Sequence, residues 1–408
     1  MPAEPSWWYH RPNADSGAGS GADPNPAVGH GASGNGASDP GAGWHGSAAT
    51  ALAPAAAIYG AITVRRMARA PEYVSALPVI CVGNFTAGGA GKTPATAMIV
   101  ARLIAMGRRP AILTRGYGGR TAGPHWVDAD RVNADWVIAD RVDADWLIET
   151  QDTAETVGDE PILHARRAPT LVARDRVAGA RAIEANGRCD VIVMDDGLQN
   201  PALGKTLSIA VVDGARGFGN GRVIPAGPLR APLDWQLRHV DAVLFNGAPS
   251  PETIAALDRA TATGGETRAS GQQPARLFGR LEPDATIAAR ISGRRVVAFA
   301  GIGHPARYFE TVRSLGADIA EAIPFPDHHP YTATDAARLQ AAAARYGADL
   351  VTTEKDHVRL VGQPALAELA AAAIPIPVEM MLDPASIAAL DQMLATLAQS
   401  RPPKSKAL

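Results

Sequence analysis

The chemistry in this sequence is concentrated between Val82 and Thr93, which reads Val-Gly-Asn-Phe-Thr-Ala-Gly-Gly-Ala-Gly-Lys-Thr. An apolar run enters a glycine-rich loop, and Gly-Lys-Thr opens a helical stretch. That arrangement points backbone N–H groups and the positive end of a helix at phosphate oxygens. Thr86, Ala87, Gly88, Gly89, Ala90 and Gly91 are the expected cradle. Lys92 is expected to reach the β- and γ-phosphates, and the Thr93 hydroxyl to ligate Mg²⁺. Thr86 stands where the strict phosphate-loop pattern has glycine, so the loop is a variant of that pattern.

A second group follows at Cys189-Asp-Val-Ile-Val-Met-Asp-Asp-Gly197, where an apolar strand ends in Asp195 and Asp196. Carboxylates in that position hold Mg²⁺ or its water shell in phosphate-loop enzymes. Gly158-Asp159-Glu160-Pro161 places two more carboxylates before a helical stretch, where Asp159 is equally suited to capping a helix and to catalysis. Pro324-Phe-Pro-Asp-His-His-Pro-Tyr331 gathers Asp327, His328 and His329 in a proline-bounded loop. Histidine can act as a base near neutral pH when a carboxylate orients it. A surface loop without chemistry fits that stretch as well. Arginines in glycine-flexed loops, at Thr114–Arg120 and Gly217–Arg230, suit a phosphate or an anionic headgroup. Thr353-Glu-Lys-Asp356 superficially resembles a guanine-reading motif but lacks its Asn and its spacing, which counts against a GTPase.

These groups need a scaffold. From Leu77 onward β-rich runs alternate with helical stretches. Strands are expected over Val79–Val82, Ala111–Thr114, Thr170–Ala173, Val191–Met194, Ile209–Val212 and Ala242–Phe245, with helices at Lys92–Met106 and Arg176–Ala185. The spacing predicts an α/β fold, a mostly parallel sheet flanked by helices. A second, smaller α/β domain is expected to start near Arg294, with strands at Val296–Ala300, Asp349–Thr353 and Ile376–Met380 and a helix at Tyr308–Leu315. The expected organisation is an aromatic start plus glycine-rich segment over 1–47, an N-terminal helix over 48–76, the phosphate-loop domain over 77–247, a connector over 248–293 and the C-terminal domain over 294–400.

Composition narrows the reading. With 46% apolar residues among 408, there is ample material to bury two cores. A formal net charge of −2 argues against a nucleic-acid binder that depends on bulk positive charge. Cys81 and Cys189 are the only cysteines, which excludes a disulfide framework and a Cys-based zinc site and predicts buried, reduced thiols in a cytosolic protein. Between Ser16 and Gly46 the composition is almost wholly small and polar, too poor in apolar area to offset ordering entropy, so disorder is expected there. The apolar stretch Ala48–Val64 is interrupted by Pro54 and Gly60 and is too short for a membrane span. Followed by Arg65, Arg66 and Arg69, it suits a helix lying on a membrane surface or one packed on the domain. A ten-residue duplication over 129–148 reads as a lengthened surface hairpin or loop.

Taken in order, these motifs resemble the tetraacyldisaccharide 4′-kinases, the lipid A 4′-kinase family. They are Trp7-Trp8-Tyr9, the phosphate loop, Thr-Arg-Gly-Tyr-Gly118, Gly-Asp-Glu-Pro161, Asp-Asp-Gly-Leu-Gln199, Gly-Asn-Gly-Arg222 through Pro-Leu-Arg230, Phe-Pro-Asp-His-His329 and Thr-Glu-Lys-Asp356. The resemblance runs from Pro5 to Asp383, apart from the glycine-rich segment and the duplication. It departs at Asn200, where the family usually has His, and at Ala231, where Glu is common. The resemblance implies ATP- and Mg²⁺-dependent phosphorylation of the 4′-hydroxyl of a lipid A disaccharide 1-phosphate. The enzyme would be a peripheral monomer on the cytoplasmic face of the bacterial inner membrane, with the membrane surface as a partner and no nucleic acid. It implies catalytic roles for Lys92 and for Asp159 with His328, the pair acting as base on the sugar hydroxyl. Thr93, Glu160, Asp195 and Asp196 would surround Mg²⁺, and the Ala48–Val64 helix would engage the membrane.

Overall fold

In the computed structural model the described residues are Pro5, Trp8, Tyr9 and the stretches 48–127, 152–263 and 273–397. The glycine-rich segment and the 129–148 duplication lie outside them. The strands are β1 (Val79–Asn84), β2 (Pro110–Thr114), β3 (His125–Trp126), β4 (Thr170–Val172), β5 (Val191–Asp195), β6 (Leu207–Asp213), β7 (Ala242–Asn246), β8 (Ala275–Pro283), β9 (Arg295–Ala300), β10 (Asp318–Pro324), β11 (Asp349–Thr353), β12 (Ala373–Ile376) and β13 (Val378–Leu382). Nine build one sheet in the order β13-β8-β7-β6-β1-β5-β2-β4-β3, and four build a second in the order β10-β9-β11-β12. The large sheet is parallel from β8 to β4, with β13 and β3 antiparallel at its two edges. The small sheet is parallel throughout.

A parallel sheet covered on both faces needs strands apolar on both faces, and β1 shows how the sequence meets that demand. Its six residues are all buried. Val79 and Cys81 join one core with Ala180 and Ile183 of the Arg176–Asn186 helix. Ile80 and Val82 join the opposite core with Ile99 and Leu103 of the Lys92–Ala105 helix. Both cysteines are free and buried, and burial pushes the Cys81 thiol up to about 11. It is a packing residue, not a nucleophile. The small sheet repeats the plan, with Val297 and Phe299 facing one core and Val296 and Ala298 the other.

Two features differ from the expected organisation. The stretch expected as a connector contains the Pro251–Thr263 helix and β8, a full member of the large sheet. Its Ala-Arg-Leu-Phe-Gly-Arg-Leu-Glu-Pro pattern keeps only Leu277 fully buried, which disguises it as a polar linker. The run expected as a single strand around Pro377 is two strands in two sheets. β12 closes the small sheet, and β13 pairs antiparallel with β8 in the large one. Pro377 has no N–H to continue a ladder, so it marks the crossing. The chain therefore returns to the large sheet within 294–400, and Leu390 and Leu394 of the Pro384–Leu397 helix share a core with Ile99 and Leu103.

The N-terminal helix, Ala53–Met67, buries Ala56, Gly60, Thr63 and Met67 at helical spacing and leaves Ile58, Tyr59 and Ile62 on its exposed side. Among the described residues no helix is long and apolar enough to cross a membrane. Leu390 is fully buried under the phosphate-loop helix although it lies near the end of the chain. Leu390→Ala is expected to lower stability by about 2–5 kcal/mol in urea titration. Hydrogen exchange should show protection lost in the Lys92–Ala105 helix.

Candidate active site

The phosphate loop sits at the C-terminal end of β1, where the chain leaves β1 for β2 on one side and later fills β6 on the other. Crevices at such switch points are where open α/β sheets bind ligands. Gly88 and Gly91 have φ of 95° and 92°, in the left-handed region. A Cβ on Gly91 would also fall 2.8 Å from Asn246 Nδ2, so glycine is required there twice over. The loop carbonyls are tied down. Asn84 Nδ2 donates to Gly88 O at 3.0 Å, Asn246 Nδ2 to Ala90 O at 3.2 Å and Arg230 Nε to Thr86 O at 3.1 Å. No side chain caps the start of the Lys92–Ala105 helix, which leaves its first-turn N–H groups to an anion.

β5 runs beside β1 in a register that pairs Val82 with Asp195, placing both aspartates next to this loop. They do different work. Asp195 is buried behind the helix, where Thr96 Oγ1 donates to its Oδ1 at 3.3 Å and His164 Nε2 lies 3.0 Å from its Oδ2. Burial alone would raise its pKa, but the His164 hydrogen bond and charge, with Lys92 and Lys355, outweigh it and bring it to about 2. Asp196 adopts φ 49° and turns the other way. Its Oδ1 is 3.9 Å from Lys92 Nζ and accepts from Arg230 Nη1 at 3.0 Å. Burial opposes the charge of Asp196, yet Lys92 and Arg230 hold its carboxyl below the usual range.

The acid–base candidates come from different sheets. Asp159 opens the Asp159–Ala165 helix behind Gly158, whose φ is 97° and whose Cβ would fall 2.5 Å from Tyr117 O. His328 lies in the turn after β10 at φ 56°, with its N–H donating to Gly301 O at 3.1 Å. The structure brings them together, His328 Nδ1 standing 3.4 Å from Asp159 Oδ2. Asp159 is buried, which would raise its pKa, but the His328 hydrogen bond and the charges of Lys355 and Arg359 hold it far below the ordinary carboxylate range. Glu160, expected near a metal, accepts instead from Lys355 Nζ at 2.7 Å.

Several side chains of the site have no clear signature in the sequence. Thr96 and His164, which hold Asp195, lie inside helices and look like ordinary helix residues. Arg230 bridges the phosphate loop to Asp196, and its Nη1 also donates to Gln199 Oε1 at 3.2 Å. The aromatic start packs on the same arginine-bearing loop. Trp8 Nε1 donates to Pro225 O at 3.2 Å, and the Arg216 guanidinium lies 3.5 Å from the Tyr9 ring centroid.

Residues 48–395 match the sequence profile of LpxK, tetraacyldisaccharide-1-P 4′-kinase. The chain is 52% identical over 309 residues to the tetraacyldisaccharide 4′-kinase of Methylorubrum extorquens strain PA1, covering 76% of this chain and 84% of that protein. It belongs to the tetraacyldisaccharide 4′-kinase family. A second member, from Rhodopseudomonas palustris strain BisA53, is 48% identical over 80% of this chain and 86% of its own length. LpxK from Aquifex aeolicus, solved in complex with ATP, shares the fold with a TM-score of 0.61 and 21% identity, over 86% of this chain and 99% of that one. The kinase-family fold thus accounts for the phosphate loop at the centre of the sheet.

The depressed carboxyl of Asp195 makes a prediction about acid stability. A carboxylate whose folded pKa lies below its unfolded value stabilises the fold above that unfolded value, and the contribution is lost as pH falls through the folded one. With about 2 folded and about 4 unfolded, the window is pH 4 to 2. Asp195→Asn should remove roughly 2 kcal/mol of pH dependence across that window. Urea titrations at stepped pH would reveal it as a flattened acid limb.

Proposed function

We propose that this chain transfers the γ-phosphate of ATP to the 4′-hydroxyl of a tetraacyldisaccharide 1-phosphate in lipid A biosynthesis. The observation that carries the reading is the meeting of Asp159 and His328, from two sheets, in a kinase-family chain that also holds an uncapped phosphate-loop helix. Phosphoryl transfer asks chiefly for charge neutralisation and in-line placement. Lys92 and the helix N-terminus neutralise the triphosphate, and Arg230 fixes the loop that carries them. The sugar hydroxyl attacks the γ-phosphorus, its proton passes to His328 Nε2, and ADP leaves. Asp159 stays ionised and accepts from His328 Nδ1–H, which orients the ring and leaves Nε2 as the basic atom.

The donor chemistry fits a Mg²⁺ ion carried with the nucleotide. Among the described residues no group of three His, Cys, Asp or Glu side chains forms a cage, and Mg²⁺ with a nucleotide needs only one or two protein oxygens. Thr93 and Asp196 would hold it, Asp196 being the carboxylate that turns to the Lys92 side of the phosphate loop. Mg²⁺ supplies charge neutralisation at the β- and γ-phosphate oxygens when bound. The Ile58, Tyr59 and Ile62 side of the N-terminal helix, with Arg65 and Arg66 in its last turn, seats the enzyme on an anionic membrane surface. We place that surface on the cytoplasmic face of the bacterial inner membrane.

Purified full-length protein incubated with γ-labelled ATP, Mg²⁺ and tetraacyldisaccharide 1-phosphate in detergent should transfer label to the lipid; no transfer would sink the kinase reading. Asp159→Ala and His328→Ala should each lower kcat by about 10²–10⁴-fold with little change in KM for ATP. Lys92→Ala should impair both constants. A wild-type rate in the His328 variant would remove the base. For the membrane reading, an Ile58→Glu/Ile62→Glu protein should float with anionic vesicles markedly less than the parent, and equal flotation would refute it.

A further inference from the structure

The Thr353–Asp356 motif takes no part in the chemistry derived above, yet it begins the Glu354–Leu360 helix, which packs against the Asp159–Ala165 helix across the two sheets. Two ion pairs close that contact, Lys355 with Glu160 and Arg359 with Asp159. The Arg359 side chain is only 8% exposed. Its Nε donates to Asp159 Oδ2 at 3.0 Å and its Nη2 donates to the same oxygen. Its Nη1 donates to Gly301 O at 2.7 Å and to Asp356 Oδ1 at 2.9 Å. Gly301 O is also the acceptor for the His328 backbone N–H. One guanidinium therefore grips the carboxylate of one member of the pair and the backbone anchor of the other.

Its own footing is equally fixed. Asp356 is fully buried and accepts from Gly301 N–H at 3.0 Å, Tyr331 Oη at 2.9 Å and Thr353 Oγ1 at 2.6 Å. A Cβ on Gly301 would stand 3.0 Å from Asp356 Oδ1 and 3.2 Å from both His329 Cβ and Pro326 O, so the loop is packed tightly against this group. A planar fork with several donors can meet three acceptors in fixed directions, which a single ammonium cannot.

We propose that Arg359 is a positioning residue for phosphoryl transfer. Standing on the Thr353–Asp356 platform, it holds the Asp159 carboxylate and the His328 turn at their working separation. The inference rests on the base assignment above. Because what it sets is the separation of the two members, its loss should matter only while both Asp159 and His328 are present.

The test measures kcat and KM for ATP in full-length Arg359→Ala, Arg359→Lys, Asp159→Asn and Asp159→Asn/Arg359→Lys proteins, with tetraacyldisaccharide 1-phosphate as acceptor. Arg359→Ala should lose roughly 100-fold in kcat, the scale expected when a reacting group is displaced by about an ångström, with KM for ATP nearly unchanged. Arg359→Lys, which keeps the charge but not the fork, should recover part of that loss. In the Asp159→Asn background Arg359→Lys should change kcat by less than about twofold, which is the ordinary scatter of a mutant cycle. Wild-type kcat in both Arg359 variants, or a full further loss in the double variant, would overturn the proposal. Should Arg359→Ala fail to fold, the Arg359→Lys and Asp159→Asn arms decide alone. Impaired Asp159→Asn and His328→Ala beside unaffected Arg359 variants would remove the positioning role and leave the base intact. Unimpaired Asp159→Asn and His328→Ala would remove the base itself.

Discussion

A buried carboxylate is withdrawn from the water that would stabilise its charge, and it stays ionised only when fixed partners replace that water. Asp159 is such a group, and its partners arrive from the other sheet: Arg359, Lys355 and His328. The need to satisfy this one charge dictates how the two sheets meet. It draws the Glu354–Leu360 helix against the Asp159–Ala165 helix and brings the turn after β10 to Asp159 through His328. Removing Arg359 or Lys355 would leave a carboxylate of this contact without its cation.

The phosphate side of the site follows a different logic. There the backbone is the principal ligand, and side chains such as Asn84, Asn246 and Arg230 occupy loop carbonyls. The adjacent aspartates divide their labour through backbone conformation. Asp195 continues the strand and is buried under the helix, whereas Asp196 flips into the left-handed region and meets Lys92 and Arg230.

How much of this could be read from the sequence depended on the range of the interactions. The phosphate loop, the Asp-Asp strand end and most central strands are local patterns, and the structure moves each strand end by two residues at most. β8 escaped because only Leu277 is fully buried while Phe278 and Arg280 are exposed, and the split at Pro377 escaped because two short strands in one apolar run look like one. Glu160 and Arg359 have partners about two hundred residues away, Lys355 and Asp159, which no local pattern reveals. The Asp159 and His328 pairing was visible only through the family resemblance, since no local spacing links them.

The return of β13 to the large sheet has a mechanical meaning. The small sheet is an insertion with two attachments, leaving after β8 and coming back before β13. Those attachments are side by side, since Pro283 pairs with Val378 and Asp284 N–H donates to Pro377 O at 3.0 Å. A body held at two adjacent points has little freedom to translate or twist and much freedom to swing about the line joining them. That narrow link leaves the angle of the inserted sheet to the Lys355–Glu160 and Arg359–Asp159 ion pairs across the two bodies, and His328 and Arg359 both lie on the inserted side.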